Sequence, residues 1–389
     1  MEILFVIGIA QAIFFSYLLL IKKGNKPANR LLAFLLVSIS FSLLLQYLYV
    51  TNHIEQAPHL IGLDSTFPFI YAPLIFLYAK FVTSQKSTFK ITDSIHLIPF
   101  TVFLVYIFLS FYLKSGSYKY EYLQNLFKGN VPLDLTIVNY LKIIQAVIYV
   151  ILTLKVIITH QNRIKHIFSN LEKKTLTWLK ILTISIAGVY FIQFIVLLLI
   201  SFKLDWHFQE ISLLANVSEV LFVYILAFFG IMQPQIYKTN DQISTNKVDI
   251  KSILNKPEEK SITIKQKYAG SPLSTKASKE MFLKLKAFME KEKPYLESQI
   301  TIHQIAEKIG VNTKYLSQVI NEHVDLNFFN FINQYRIEEV KQKLTNEKYS
   351  HLSILGIALD CGFNSKSSFN SVFKKLTGQT PSSYVSCTS

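Results

Sequence analysis

Seven long apolar runs fill the first 237 residues of this 389-residue chain and leave it few ways to fold. They are approximately Ile3–Ile21, Leu31–Val50, Phe67–Val82, Ile95–Leu113, Ile137–Ile158, Ile181–Phe202 and Ile211–Ile231. A helix needs ~20 residues at 1.5 Å each to cross ~30 Å of hydrocarbon, and most of the runs reach that length. The third is the shortest and carries Pro68 and Pro73. Acidic Glu2 precedes the first run, which ends at Lys22-Lys23 without a small-residue cleavage site. It is therefore expected to stay as a helix rather than be removed as a signal peptide.

Loop charges orient the spans. Segments after runs 1, 3 and 5 carry 13 basic residues, from Lys22 to Lys180; segments after runs 2, 4 and 6 carry five, Lys114, Lys119, Lys128, Lys142 and Lys203. Lys and Arg concentrate in cytoplasmic loops. The bias predicts a multi-pass membrane protein with its N-terminus outside and its C-terminus in the cytoplasm. The longest outer segment, Lys114–Thr136, has 23 residues. No separate sensor domain fits there, so a signal would be read within the helices or at their rim.

Polar residues inside the runs are few. Asn216 and Glu219 lie three apart on one helix face of the last run. A carboxylate at mid-membrane costs ~2.5–3.5 kcal/mol on insertion scales. These two residues are the candidate signal site, with an interhelical hydrogen bond as the plainer reading of Glu219. Gln46, Gln145 and Gln193 are further candidates. His53, His59 and Asp64 are too loosely spaced to be read as a metal site, and none is expected.

Composition changes after residue 237. Residues 238–389 contain no comparable run and carry 22 Lys+Arg against 15 Asp+Glu, within a whole-chain net charge of +15. The two cysteines, Cys361 and Cys387, have no metal or redox spacing. Lys238–Lys279 is polar, holds Pro257, Gly270 and Pro272, and keeps no period, so it reads as a linker. As a random coil it would span ~35 Å. Met281, Leu285, Phe288 and Met289 then predict an amphipathic helix over Lys279–Lys291.

A small pattern follows twice: Ala306…Gly310-Val311-Asn312 and Ala358…Gly362-Phe363-Asn364. Each reads as a short helix, a Gly turn, an Asn cap and a second helix. That is the helix-turn-helix plan, whose second helix enters the major groove. The first motif spans about 302–322 and leaves Lys314, Ser317, Gln318 and Asn321 on its outer face. The second spans about 354–376 and presents Lys366, Ser367, Ser368, Asn370, Ser371 and Lys374. Between them a helix over Phe328–Leu344, ~25 Å long, suits two readers about one DNA turn (~34 Å) apart. Arg336 on it is expected to brace the two motifs through buried hydrogen bonds or to contact phosphate.

Ile357–Tyr384 resembles the C-terminal signature of AraC/XylS-type bacterial transcription regulators. Tyr315–Asn321 and Phe331–Ile337 resemble the same domain's first motif and connecting helix, so the likeness covers about 281–386. It implies sequence-specific DNA binding, with base reading at Lys314, Ser317, Gln318, Lys366, Ser367, Ser368 and Ser371. Three positions depart from the pattern: Ser371 replaces a usual Arg, Asp325 a usual turn Gly, and Val385 a common basic residue. Ala72–Tyr78 and His96–Phe100 resemble a subgroup with a polytopic N-terminus, more weakly.

The expected fold is all-α: a seven-helix transmembrane bundle (1–237), a linker (238–279) and a cytoplasmic domain with two helix-turn-helix motifs (280–387). The expected partners are double-stranded DNA, the bilayer, an unidentified signal ligand and a second copy on DNA. No cofactor is implied. No nucleophile–base set or phosphate-cradling loop points to an enzyme. The alternative is a receptor or transporter-like protein whose helical tail binds a protein.

Overall fold

A computed structural model describes residues 2–23, 25–84, 89–128, 130–172, 174–202, 208–232 and 275–388. The expected linker lies outside the described residues as far as 274, as do Lys86, Lys173 and Lys203 of the charge comparison. The described chain is all-α; its one β feature is an isolated antiparallel bridge between Phe168 and Thr301. It divides into two compact units. The first holds residues up to Thr159 together with those from Leu176 to Met232. The second holds His160–Thr175 together with the C-terminal helices. Residues 160–175, expected to belong with the spans, thus group with the C-terminal helices.

The first unit contains α1 (Glu2–Ile21), α2 (Lys26–Val50), α3 (Pro68–Val82), α4 (Ile98–Ile107), α5 (Gly116–Phe127), α6 (Leu133–Ile164, whose last turns pass into the second unit), α7 (Thr177–Ser201) and α8 (Phe208–Met232). Among the described residues six helices are long and apolar enough to cross a membrane. The number becomes seven if Pro58–Ser65 and Pro68–Val82, bent by 43°, count as one span. The third run therefore forms a helix of only 15 residues, started by Pro68 and interrupted by Pro73. Proline supplies no backbone N–H, so it suits the first turn and weakens the interior. Leu36, Ile39 and Leu43 of α2 pack with Ile70 and Leu74 of α3, Ile186 of α7 and Val223 of α8. Outward faces stay apolar: Phe14, Ile151, Phe191 and Phe228 are all more than half exposed. Hydrocarbon accommodates such faces; water does not.

Two features of this unit were not legible beforehand. Lys114–Thr136 is not a plain loop but contains α5, capped by Ser115, whose side chain accepts from the Tyr118 amide. At the end of α4, Phe108–Tyr112 widens into one π turn. Such turns recur beside functional sites.

The second unit contains α9 (Thr275–Glu292), α10 (Ile302–Ile309), α11 (Thr313–Val324), α12 (Phe328–Leu344), α13 (Ile354–Asp360), α14 (Lys366–Thr377) and α15 (Pro381–Thr388). Helix α9 takes in the last five residues, 275–279, of the segment expected to be linker. Two cores share α12. Phe328, Phe331 and Ile332 pack with Leu285, Ile305, Leu316 and Ile320. One turn further along, Ile337 and Val340 pack with Ile357, Phe363, Phe369 and Phe373. The helix is thereby held at both ends and fixes the separation of the two motifs.

Candidate nucleic-acid interface

The first motif is built as its spacing predicts. Thr301 and Gln304 form a capping box at the start of α10. Gly310 turns the chain at φ 79°, and the Val311 amide returns to the Ala306 carbonyl at 2.9 Å. The Asn312 side chain then caps α11 through the Lys314 amide at 2.8 Å. Leu316, Val319 and Ile320 are buried, which turns the opposite face outward. Lys314 is exposed on it, and Ser317, Gln318 and Asn321 are half-buried. Gln318 donates to Glu322 at 2.7 Å. Asp325, standing at the usual glycine position, adopts φ 53° and closes the helix. A short polar side chain tolerates that region, so the replacement keeps the turn.

In the second motif Gly362 turns at φ 90°, and the Phe363 amide returns to the Ala358 carbonyl at 3.1 Å. The cap differs from expectation. Ser365, not Asn364, precedes α14, and its hydroxyl accepts from the Ser368 amide at 3.3 Å. Ser365 holds extended backbone angles, which aim its oxygen at the open first turn. Phe369, Val372 and Phe373 face the core. Lys366, Ser367, Asn370, Ser371 and Lys374 are exposed and Ser368 is half-buried. The buried Cys361 thiol is pushed up to about 11 by burial, so it serves as a small apolar filler.

Arg336 resolves as a brace rather than a phosphate ligand. It is 1% exposed. Its Nε donates to the Tyr295 carbonyl at 2.8 Å and its Nη2 to the Glu297 carbonyl at 2.8 Å. Burial lowers the guanidinium only to about 10, so it stays charged. Next to it, Glu339 takes Lys293 at 2.8 Å and the Tyr295 hydroxyl at 2.9 Å. Burial pushes this carboxyl up, but those two donors outweigh it and hold it below the ordinary value.

Sequence reasoning missed the third partner of Arg336. Its Nη1 and Nη2 donate to the carbonyl and hydroxyl of Ser169, at 3.3 Å each. Ser169 lies in residues 160–175, the connection between α6 and α7. That connection is hydrogen-bonded to the start of the first motif and to the helix that joins the two motifs. The Ile302 amide donates to the Ile167 carbonyl at 3.1 Å, and the Phe329 amide to the Lys165 carbonyl at 2.9 Å. Ser169 binds the Ile300 carbonyl through its amide and, at 2.7 Å, its hydroxyl. Amides at helix starts lack partners within the helix; here the connection satisfies one at the start of α10 and one at the start of α12. Leu171, Glu172 and Thr175 further line a cleft with Phe329 and with Ser365, Ser367 and Ser368 at the start of α14.

The sequence comparisons bear on this unit alone. Residues 305–386 match the family described as a helix-turn-helix domain. Uncharacterised HTH-type transcriptional regulators of Staphylococcus aureus are 34% identical over 90 residues, which is 23% of this chain and 12% of theirs. The melibiose operon regulatory protein of Escherichia coli is 33% identical over 88 residues, 23% of this chain and 28% of that protein. The chain thus aligns with a small part of the curated relatives it matches. No solved structure matches. Residues 305–386 are an AraC/XylS-type helix-turn-helix domain of the kind found in DNA-binding transcription regulators.

Proposed function

We propose that this protein is a membrane-embedded transcription regulator: seven spans among α1–α8, all but α5, hold it in the bacterial inner membrane with its N-terminus outside, and the C-terminal unit binds promoter DNA from the cytoplasm. Lys314, Ser317, Gln318 and Asn321 read one major-groove segment. Lys366, Ser367, Ser368, Asn370 and Ser371 read the next, and Lys374 holds phosphate. Lysine and asparagine bond base edges, while serine more often positions phosphate. Because Ser371 lacks the reach of arginine, the second half-site is read less stringently than the first.

The observation that carries the sensing part is the 160–175 connection. It joins two membrane-length helices in sequence and is bonded to Arg336, α10 and α12. In the cleft beside α14, its acidic Glu172 lies near the end of the helix that a phosphate would approach. We read this as the resting arrangement. A signal that shifts α6 against α7 moves the connection and changes the population able to bind DNA. Any such ligand must bind the two arrangements with different affinity. Asn216 and Glu219 belong to the signal site.

The test is selection from a random duplex pool by the full-length protein in lipid nanodiscs. One bipartite motif is expected, with half-sites about one helical turn (~10 bp) apart. Affinity for it should fall steeply with salt through counterion release. No enriched sequence, with salt-insensitive binding of protein partners instead, would favour the receptor-tail alternative.

A further inference from the structure

The first unit holds a partly open cavity of about 540 Å³, within the range of small-molecule sites. Its wall is drawn from α2, α4, α5, α6, α7, α8 and the turns before α3. Its chemistry is lopsided. Three carboxylates line it, Asp64, Asp134 and Glu219, against one ammonium, Lys142. Lys142 is already engaged, donating to the Ser65 carbonyl at 3.2 Å and lying 5.9 Å from the centre of the Phe69 ring. Glu219 is 5% exposed. Its two oxygens accept amide hydrogens from Gln193 at 3.0 Å and Gln46 at 3.3 Å. Among the described residues no cation comes within ion-pair distance of it. Gln46 spends its donor on Glu219, and its own Oε1 is buried with no partner. Glu219 is therefore held by two amide donors with no ammonium at ion-pair distance, and Gln46 Oε1 beside it has no donor. The rest of the wall is apolar and aromatic, including Phe103, Phe111, Tyr122 and Val196.

A buried carboxylate with no cation at ion-pair distance is costly to keep charged, and an ammonium brought beside it offsets that cost. An acceptor set beside aromatic walls suits an ammonium on a hydrophobic body, with the rings adding cation–π attraction. We propose that this cavity binds a small organic amine, its ammonium ion-paired to Glu219 and hydrogen-bonded to Gln46 Oε1, its apolar body against the aromatic wall. The inference rests on the reading of the chain as a membrane-embedded sensor and names its ligand class. Lys142 and Gln193 place α6 and α7 on the wall, and these are the two helices that the 160–175 connection joins. An amine drawing Glu219 toward it acts on α7 through Gln193, and its apolar body lies against Val138 and Ile143 of α6.

The experiment uses the full chain in nanodiscs with three probes on one phenylpropyl frame: 3-phenylpropan-1-amine, neutral 3-phenylpropan-1-ol and anionic 3-phenylpropionate. Thermal unfolding and equilibrium dialysis at pH 7 read binding without any DNA. Saturable binding of the amine alone is expected, weakened about tenfold or more in Glu219→Gln, which removes the charge. Val138→Trp, which fills the cavity from α6 and leaves Glu219 in place, should abolish it. Equal binding of alcohol and amine, unchanged binding in both variants, or no binding of the amine would overturn the assignment. Stabilisation that tracks pH alone would also overturn it, making a proton the ligand. Binding of the selected duplex is measured in parallel. If the amine binds and DNA affinity does not move, the cavity assignment stands and the proposed coupling fails.

Discussion

Gly310 and Gly362 occupy the same step of the repeated motif, yet for different reasons. A Cβ on Gly310 would meet nothing within 4 Å, so only its positive φ matters. Alanine there should cost about 1 kcal/mol, the left-handed penalty of an L residue. A Cβ on Gly362 would lie 2.5 Å from the Tyr295 carbonyl oxygen and 2.9 Å from Arg336 Nε. Alanine there must also displace the brace, and about 3 kcal/mol or more is expected. Thermal unfolding of the two variants, followed by proteolysis of the C-terminal unit, should rank them in that order. Glu339 supplies a pH prediction. Its folded pKa is depressed, so its contribution is present above its unfolded value of about 4.3 and is lost as pH falls through the folded value. Glu339→Gln should therefore destabilise at pH 7, with the difference from the parent shrinking as pH falls below about 4.3. Destabilisation that does not change with pH would contradict this account. The glycines and helix caps were legible because turns restrict residue type. The Ser365 cap was misread by one position, since Asn364 and Ser365 are both good caps and only backbone angles separate them. Nothing in the sequence announced the Ser169 bonds to Arg336, because a serine in a polar connection has no signature.

At the scale of elements, hydropathy found the long helices and the period-3.6 stripes found the C-terminal ones. Helix α5 escaped because its tyrosines and charges break the apolar run without forming a clear stripe. Docking of 160–175 escaped because it rests on backbone bonds, which any residues make, and on the one unmarked side chain of Ser169. Two element-scale predictions follow from geometry. Lys366→Ala should lower specific affinity by ~1–3 kcal/mol, whereas Lys374→Ala should weaken all duplexes alike and reduce the salt slope by about 1. Competition assays with matched and scrambled duplexes separate the two. Glu172→Lys replaces an acid near the start of α14 with a base and should strengthen DNA binding at low salt. Weaker or unchanged binding would remove the 160–175 connection from the DNA-facing surface.

For the whole molecule, the apolar runs, the charge bias and the repeated motif were read from separate residues and suggest one design, a DNA reader tethered to a membrane. The cavity was only partly legible. Asn216, Glu219, Gln46 and Gln193 stood out as polar residues in apolar runs, but their meeting at one wall depends on helices far apart in sequence. The central claim is that the membrane-resident chain itself occupies promoters. Genome-wide crosslinking of the full-length protein to DNA, beside a Lys314→Ala/Lys366→Ala double variant, tests it most directly. A few discrete sites, recovered with the membrane fraction and lost in the double variant, are predicted. Sites that persist in the variant, or no sites under any growth condition, would contradict it.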